Sequence, residues 1–139
     1  MLEGRLRRKG EKKVTMGFHQ GDIYWIKINE KDDKEIIHPN IIIQDDIINN
    51  SRINTTVVCG ISTNMKKAYE IGNVILEEGE ANLHKKSIVV VSQVSVVNKD
   101  QIGEYIGTLR PERLVEIFQG MKQQQNMNKR EENSYIEES

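Results

Sequence analysis

The run SIVVVSQVSVV, Ser87 to Val97, constrains this chain more than any other stretch. Valine and isoleucine lose side-chain freedom against the preceding turn of a helix but pack well on a pleated surface. Seven such residues in eleven therefore read as strand. Eleven residues exceed an ordinary strand, and Ser92, Gln93 and Ser95 interrupt the apolar run. Either one strand bends at Gln93, or two strands join there. A valine-rich strand needs partners on both edges, and the rest of the chain supplies candidates.

Gly21 to Asn29, GDIYWIKIN, has apolar residues on both alternating faces, as an internal strand or one closing a barrel would. Ile36 to Asn50, IIHPNIIIQDDIINN, begins as a second strand and then turns the chain over. Pro39 has no N–H to give to a ladder, so it belongs at the first position of that strand or on an edge. The residue before a proline is pushed into an extended conformation, which puts His38 at the strand mouth. Thr55 to Ser62, TTVVCGIS, is a third run, with Gly60 marking a bulge or a close backbone approach. Asn73 to Leu76 and Glu104 to Gly107 are short strands. Pro111 opens a helix, with Leu114, Ile117, Phe118 and Met121 on one apolar face. The expected architecture is mainly β: five to seven short strands forming a small barrel with a C-terminal α-helix packed on it.

Two ends fall outside this pattern. Of the first thirteen residues eight are charged, six of them basic, so residues 1–19 read as a flexible basic tail. Residues 123–139 have few apolar side chains and no clear period, and read as a disordered tail. The domain is expected over residues 20–122. Twenty basic and twenty-one acidic residues nearly cancel, which argues against coating nucleic acid by bulk charge. The lone Cys59 fits a reducing cytoplasm and a buried hydrophobic position. No apolar run approaches the ~20 residues of a membrane-spanning helix. The N-terminus lacks the apolar stretch of a secretory signal, so a cytoplasmic protein without a membrane contact is expected.

Chemistry-bearing motifs are sparse. His19, His38 and His84 are scattered, no CxxC or HxxxH spacing occurs, and no glycine-rich phosphate loop is present, so neither metal nor cofactor is expected. What remains is His38 at one strand mouth and the hydroxyls of Ser62 and Thr63 at the end of another strand. Histidine moves protons near neutral pH, and a hydroxyl can donate a hydrogen bond to a developing anion. Brought together, these groups suit metal-free cleavage of RNA, in which the ribose 2′-hydroxyl attacks the adjacent phosphate.

The order GDIYWIKI, charged loop, HPNIIIQDD, TTVVCGIST, SIVVVSQVSVV and closing helix resembles the MazF/PemK toxin family. The resemblance covers roughly Gln20 to Lys122. It implies an SH3-like barrel that forms a homodimer, cuts single-stranded RNA at short sequences without metal, and is held inactive by an antitoxin protein. The family's catalytic arginine and threonine fall on His38 and on Ser62, with Thr63 adjacent. Gln93 matches a glutamine in the family's late strand. The charged loop Glu30 to Glu35 matches a loop that gates RNA and antitoxin binding, which makes Glu30, Lys31 and Lys34 candidate substrate contacts. Histidine for arginine gives up the planar fork and permanent charge in exchange for a titratable base. That departure leaves one alternative open, a catalytically impaired module of the same fold that binds RNA or a protein partner; a third reading, a toxin directed at gyrase, follows from a related barrel family, with His38 and the strand-end hydroxyls against it.

Overall fold

In a computed structural model the chain forms a curled, six-stranded antiparallel sheet with a helix packed against it. The structure describes residues 17–29 and 34–138. The strands are β1 (Asp22–Asn29), β2 (Glu35–Ile42), β3 (Thr55–Ser62), β4 (Val74–Leu76), β5 (Ser87–Asn98) and β6 (Ile102–Thr108). Two helices, α1 (Asp46–Asn49) and α2 (Pro111–Glu138), follow β2 and β6. The sheet order is β4-β5-β3-β2-β1-β6. The expected mainly β architecture with a C-terminal helix is therefore present, its small barrel taking the form of a curled half-barrel.

The valine-rich run is one strand that bends. Cys59 stands opposite Val94, and two residues on Ile61 stands opposite Val89, so Val90 to Gln93 all face Gly60. Its first half, Ser87 to Val91, is buried between β4 and the end of β3, whereas Ser92 to Val96 are exposed. A Cβ on Gly60 would lie 2.6 Å from Gln93 Oε1 and 3.3 Å from Gln93 Cβ. Glycine lets the Gln93 side chain cross over it at that distance.

Both faces of the sheet are packed. Ile23, Ile41, Cys59, Ile61, Val89 and Val91 form one cluster with Ile117 of α2. Tyr24, Ile26, Ile42, Val58 and Val97 form a second on the other side. Successive residues of a strand point to opposite faces, so Ile23 and Tyr24, or Ile41 and Ile42, divide between the two. Cys59 is fully buried, its thiol donating to the Val90 carbonyl at 3.1 Å, and burial pushes its pKa up to about 12. Buried Asp22 ties β1 to β6: its carboxylate accepts from the His19 amide, the Tyr24 hydroxyl and the Thr108 hydroxyl. Burial first, and then the Asp22 charge, hold the Tyr24 phenol well above its usual range.

The helix departs from expectation in two respects. Leu114, Ile117 and Met121 face the core, but Phe118 is 38% exposed and sits at the margin of that face. The backbone of α2 also continues to Glu138, through residues read from the sequence as a tail. Those residues include neither proline nor glycine and are rich in Gln, Lys, Glu and Arg, which suit a helix even where no apolar face calls for one. Nearer the core, Gly120 meets Gly72, and a Cβ on either would fall within 2.5 Å of the other's carbonyl oxygen. The helix approaches the loop before β4 that closely only because both residues are glycine.

Candidate functional site

Pro39 shapes the site. It stands fifth in β2, within the strand rather than at its first position, opposite Trp25 of β1. The ladder between β2 and β3 begins only at the next residue, where Asn40 faces Gly60. A residue with no N–H cannot extend that ladder, so before Asn40 the edge of β2 that faces β3 lies open. There a groove of about 690 Å³ lies between the strands.

The register explains what the groove holds. Asn40 opposite Gly60, Ile41 opposite Cys59 and Ile42 opposite Val58 define an antiparallel pairing. Counted back two residues along β2 and forward two along β3, the same register brings His38 level with Ser62. Both line the groove, with Pro39, Asn40, Gly60 and Thr63. The bend in β5 adds Gln93 from the opposite side. Four residues singled out in the sequence, His38, Ser62, Thr63 and Gln93, therefore meet at one concave surface although they span 56 positions of the chain.

Each is held by local chemistry. The Asn64 amide donates to Ser62 Oγ at 3.1 Å, and Asn64 Oδ1 accepts from the Lys66 amide at 3.1 Å, starting a 3-10 turn over Met65–Tyr69. The seryl oxygen thus accepts from its own turn while its proton can still be given elsewhere. Thr63 is exposed beside it. The His38 side chain is exposed on the groove wall, and its carbonyl accepts from Asn40 Nδ2 at 3.4 Å. Asn40 itself is 1% exposed. None of the thirteen lining residues is Lys, Arg, Asp or Glu, so His38 is the one imidazole, and the one acid–base side chain, among the described lining residues.

Other expectations fall elsewhere. Lys34 is exposed immediately before β2 and is not among the lining residues. Glu30 and Lys31 lie outside the described residues. The structure also adds residues that sequence reasoning missed: Trp25, 41% exposed, and the polar pair Asn40 and Ser95. Trp25 shares a strand face with buried Ile23, so period alone assigned it to packing. The proline across from it is the signal that would have singled it out.

A curled half-barrel whose groove carries an imidazole and the hydroxyls of Ser62, Thr63 and Ser95 defines a candidate hydrolytic or nucleic-acid-binding protein of SH3-like type. Comparison with known proteins is more specific. Residues 19–124 match the family described as PemK-like, MazF-like toxin of type II toxin-antitoxin system, and the chain belongs to that family. It is 26% identical over 109 residues to endoribonuclease MazF2 of Mycobacterium bovis and to endoribonuclease MazF6 of Mycobacterium tuberculosis, covering 77% of this chain and 96% of each relative. Among solved structures, an endoribonuclease in complex with its cognate antitoxin from a mycobacterial species superposes with a TM-score of 0.60 at 16% identity, over 75% of this chain and 90% of the other. MazF from Deinococcus radiodurans gives 0.61 at 13% identity, over 76% and 94%. At those identities the structures speak for the fold alone. No helix among the described residues is long and apolar enough to cross a membrane.

Proposed function

We propose that this protein is the toxin of a type II toxin-antitoxin pair, a cytoplasmic homodimer that cuts single-stranded RNA in the groove between β2, β3 and β5 without a metal. The observation that carries this reading is the groove whose wall holds both His38 and Ser62, just beyond the last paired residues Asn40 and Gly60. Family membership and endoribonuclease relatives support it.

The chemistry follows from the groups present. The neutral His38 imidazole takes the proton of a ribose 2′-hydroxyl, and the oxygen attacks the adjacent phosphorus. The bond from phosphorus to the 5′-oxygen then breaks, and that oxygen leaves with a proton from the imidazolium or from water. The products are a 2′,3′-cyclic phosphate and a 5′-hydroxyl. Once protonated, His38 also presents a positive charge to the crowded phosphate, doing part of what a permanent guanidinium would do. The Ser62 hydroxyl, fixed by the Asn64 amide, donates to a non-bridging oxygen, with Thr63 beside it. Gln93 offers an amide to the bound strand. Lys34, exposed immediately before β2, would be a further RNA contact, with Lys31 and Glu30 of the preceding charged loop as candidates from the sequence.

The test is incubation of the purified protein with a mixed-sequence RNA in the presence of chelator, beside Ser62→Ala and Thr63→Ala. Discrete fragments ending in cyclic phosphate are expected from the wild type. Loss of one oxyanion-type donor should slow cleavage by about 10²–10³-fold in Ser62→Ala. RNA that stays intact would refute the catalytic reading.

One observation favours a second reading. Among the described residues the groove is lined by no lysine or arginine, which is unusual company for a phosphate. A module of the same fold that holds RNA or a protein segment without cutting it would look the same. Binding of RNA without cleavage from pH 5 to 9 is the outcome that selects it.

A further inference from the structure

We infer that a second cavity, beyond Trp25, is the subsite that receives one nucleotide beside the cut and sets a sequence preference there. This rests on the proposed reading of the groove as an RNA site. The cavity has a volume of about 360 Å³, within the ~300–1,000 Å³ in which proteins hold small organic groups. It is separated from the main groove by Trp25, Pro39 and Thr63, which line both. A single strand lying in the groove at His38 and Ser62 therefore reaches the second cavity by passing over the Trp25 and Pro39 pair.

The two cavities differ in chemistry. The main groove holds one titratable side chain and is otherwise neutral. The second cavity is lined by His84, Lys85 and Glu104, along with Asn82 and Tyr105. Trp25, at 41% exposure on a strand fixed by neighbours on both sides, offers a rigid ring to an unstacked base. His84 and Lys85 supply donors for the phosphate that follows. Glu104 is the one carboxylate on the lining, and it is a poor neighbour for a phosphate. Its natural ligand is an amino group on a base edge, as carboxylates accept from the amino group of cytosine. The subsite would thus favour a base with an exocyclic amine over uracil. Its frame is held by a side chain: Asn82 Nδ2 donates to the Ile106 carbonyl at 3.0 Å, which pins the turn over Glu80–Asn82 to β6.

Trp25 is the only tryptophan of the chain, so its fluorescence reports this site alone. Short oligoribonucleotides carrying a 2′-deoxy sugar at the cut position would be titrated into the full-length protein, with binding followed separately by anisotropy of an end label. Quenching of Trp25 that follows the anisotropy curve is expected, stronger for oligonucleotides with cytosine or adenine beside the cut than with uracil. In parallel, fragment ends from a mixed-sequence RNA would be sequenced for wild type, Glu104→Gln and Trp25→Leu. Glu104→Gln should cut with a flattened base preference at one position beside the cut. Trp25→Leu should lower kcat/KM about ten- to a hundredfold. Lys85→Ala, a change at an exposed side chain, guards against a folding artefact and should weaken binding across sequences. Binding without quenching, or an unchanged cleavage profile in Glu104→Gln, overturns the subsite. Quenching without any cleavage instead refutes the catalytic reading and leaves the subsite standing. An oligonucleotide that does not bind at all refutes both.

Discussion

Replacing Gly120 by alanine sets two effects of opposite sign against each other. In the middle of a helix alanine is favoured over glycine by about 1 kcal/mol, so propensity alone predicts a more stable protein. Packing predicts the reverse. The new Cβ would sit 2.0 Å from the Gly72 carbonyl oxygen, 2.9 Å from its carbon and 3.2 Å from its Cα. A carbon and an oxygen do not approach closer than about 3 Å, so α2 must move roughly 1 Å away from the loop before β4, and no flexible side chain is available to yield. Ile117 and Met121 flank the contact and pack on the core, so that displacement opens the cluster they belong to. Overpacking of this sort costs about 1–3 kcal/mol and sometimes more, which outweighs the propensity gain. Gly120→Ala should therefore lower the urea midpoint, by up to about 1 M for a slope near 2 kcal/mol/M once the propensity gain is subtracted. A midpoint that rises would refute the claim that the close contact, not helix propensity, fixes this residue. Gly72→Ala should be worse, because its φ of +88° also disfavours any side chain.

Three further outcomes are expected. Gly60→Ala pushes the Gln93 amide off its seat at a cost in stability below about 1.5 kcal/mol, since the crowded atom is the end of a flexible side chain; RNA affinity should fall, and fall no further when Gly60→Ala is added to Gln93→Ala, as a double-mutant cycle by anisotropy would read. Arg113 donates through Nε and Nη2 to the two oxygens of Glu80 at 2.6 and 2.9 Å, which holds the Glu80 carboxyl below the usual range, so removing it in Glu80→Gln should cost up to about 2 kcal/mol at pH 7. Because the folded value is depressed, that contribution is full above the unfolded value near ~4.3 and is lost as pH falls through the folded one, so the gap between the urea midpoints of wild type and Glu80→Gln should narrow below about pH 4; a gap that stays constant from pH 7 to 3 would contradict the pair's role.

The strands were legible because their signal is local. β-branched runs bounded by turn formers marked β1, β2, β3 and β5, and the interruption at Gln93 marked the bend in β5. The groove was only half legible. His38, Ser62, Thr63 and Gln93 drew attention as residues, chiefly through family resemblance, but their meeting depends on the pairing of Asn40 with Gly60, far apart in sequence, and on where that ladder stops. Pro39 carried that information, and its place inside β2 shows why: a strand can be internal along one half and an edge along the other. Trp25 was hidden because a pattern of alternation cannot say which member of a face meets solvent. Nothing local at Gly120 reveals that Gly72 lies against it. The end of α2 was misjudged for the converse reason, a helix without an apolar face giving no periodic signal.

The central claim is that His38 does chemistry in this groove. Its most direct test is the single-turnover rate of RNA cleavage by wild type and by His38→Ala, at saturating protein and with chelator present. A general base supplies about 10²–10⁴-fold, so His38→Ala should bind RNA with little change and cut it slower by that factor. Cleavage by His38→Ala at the wild-type rate would contradict the account and move the catalytic groups elsewhere.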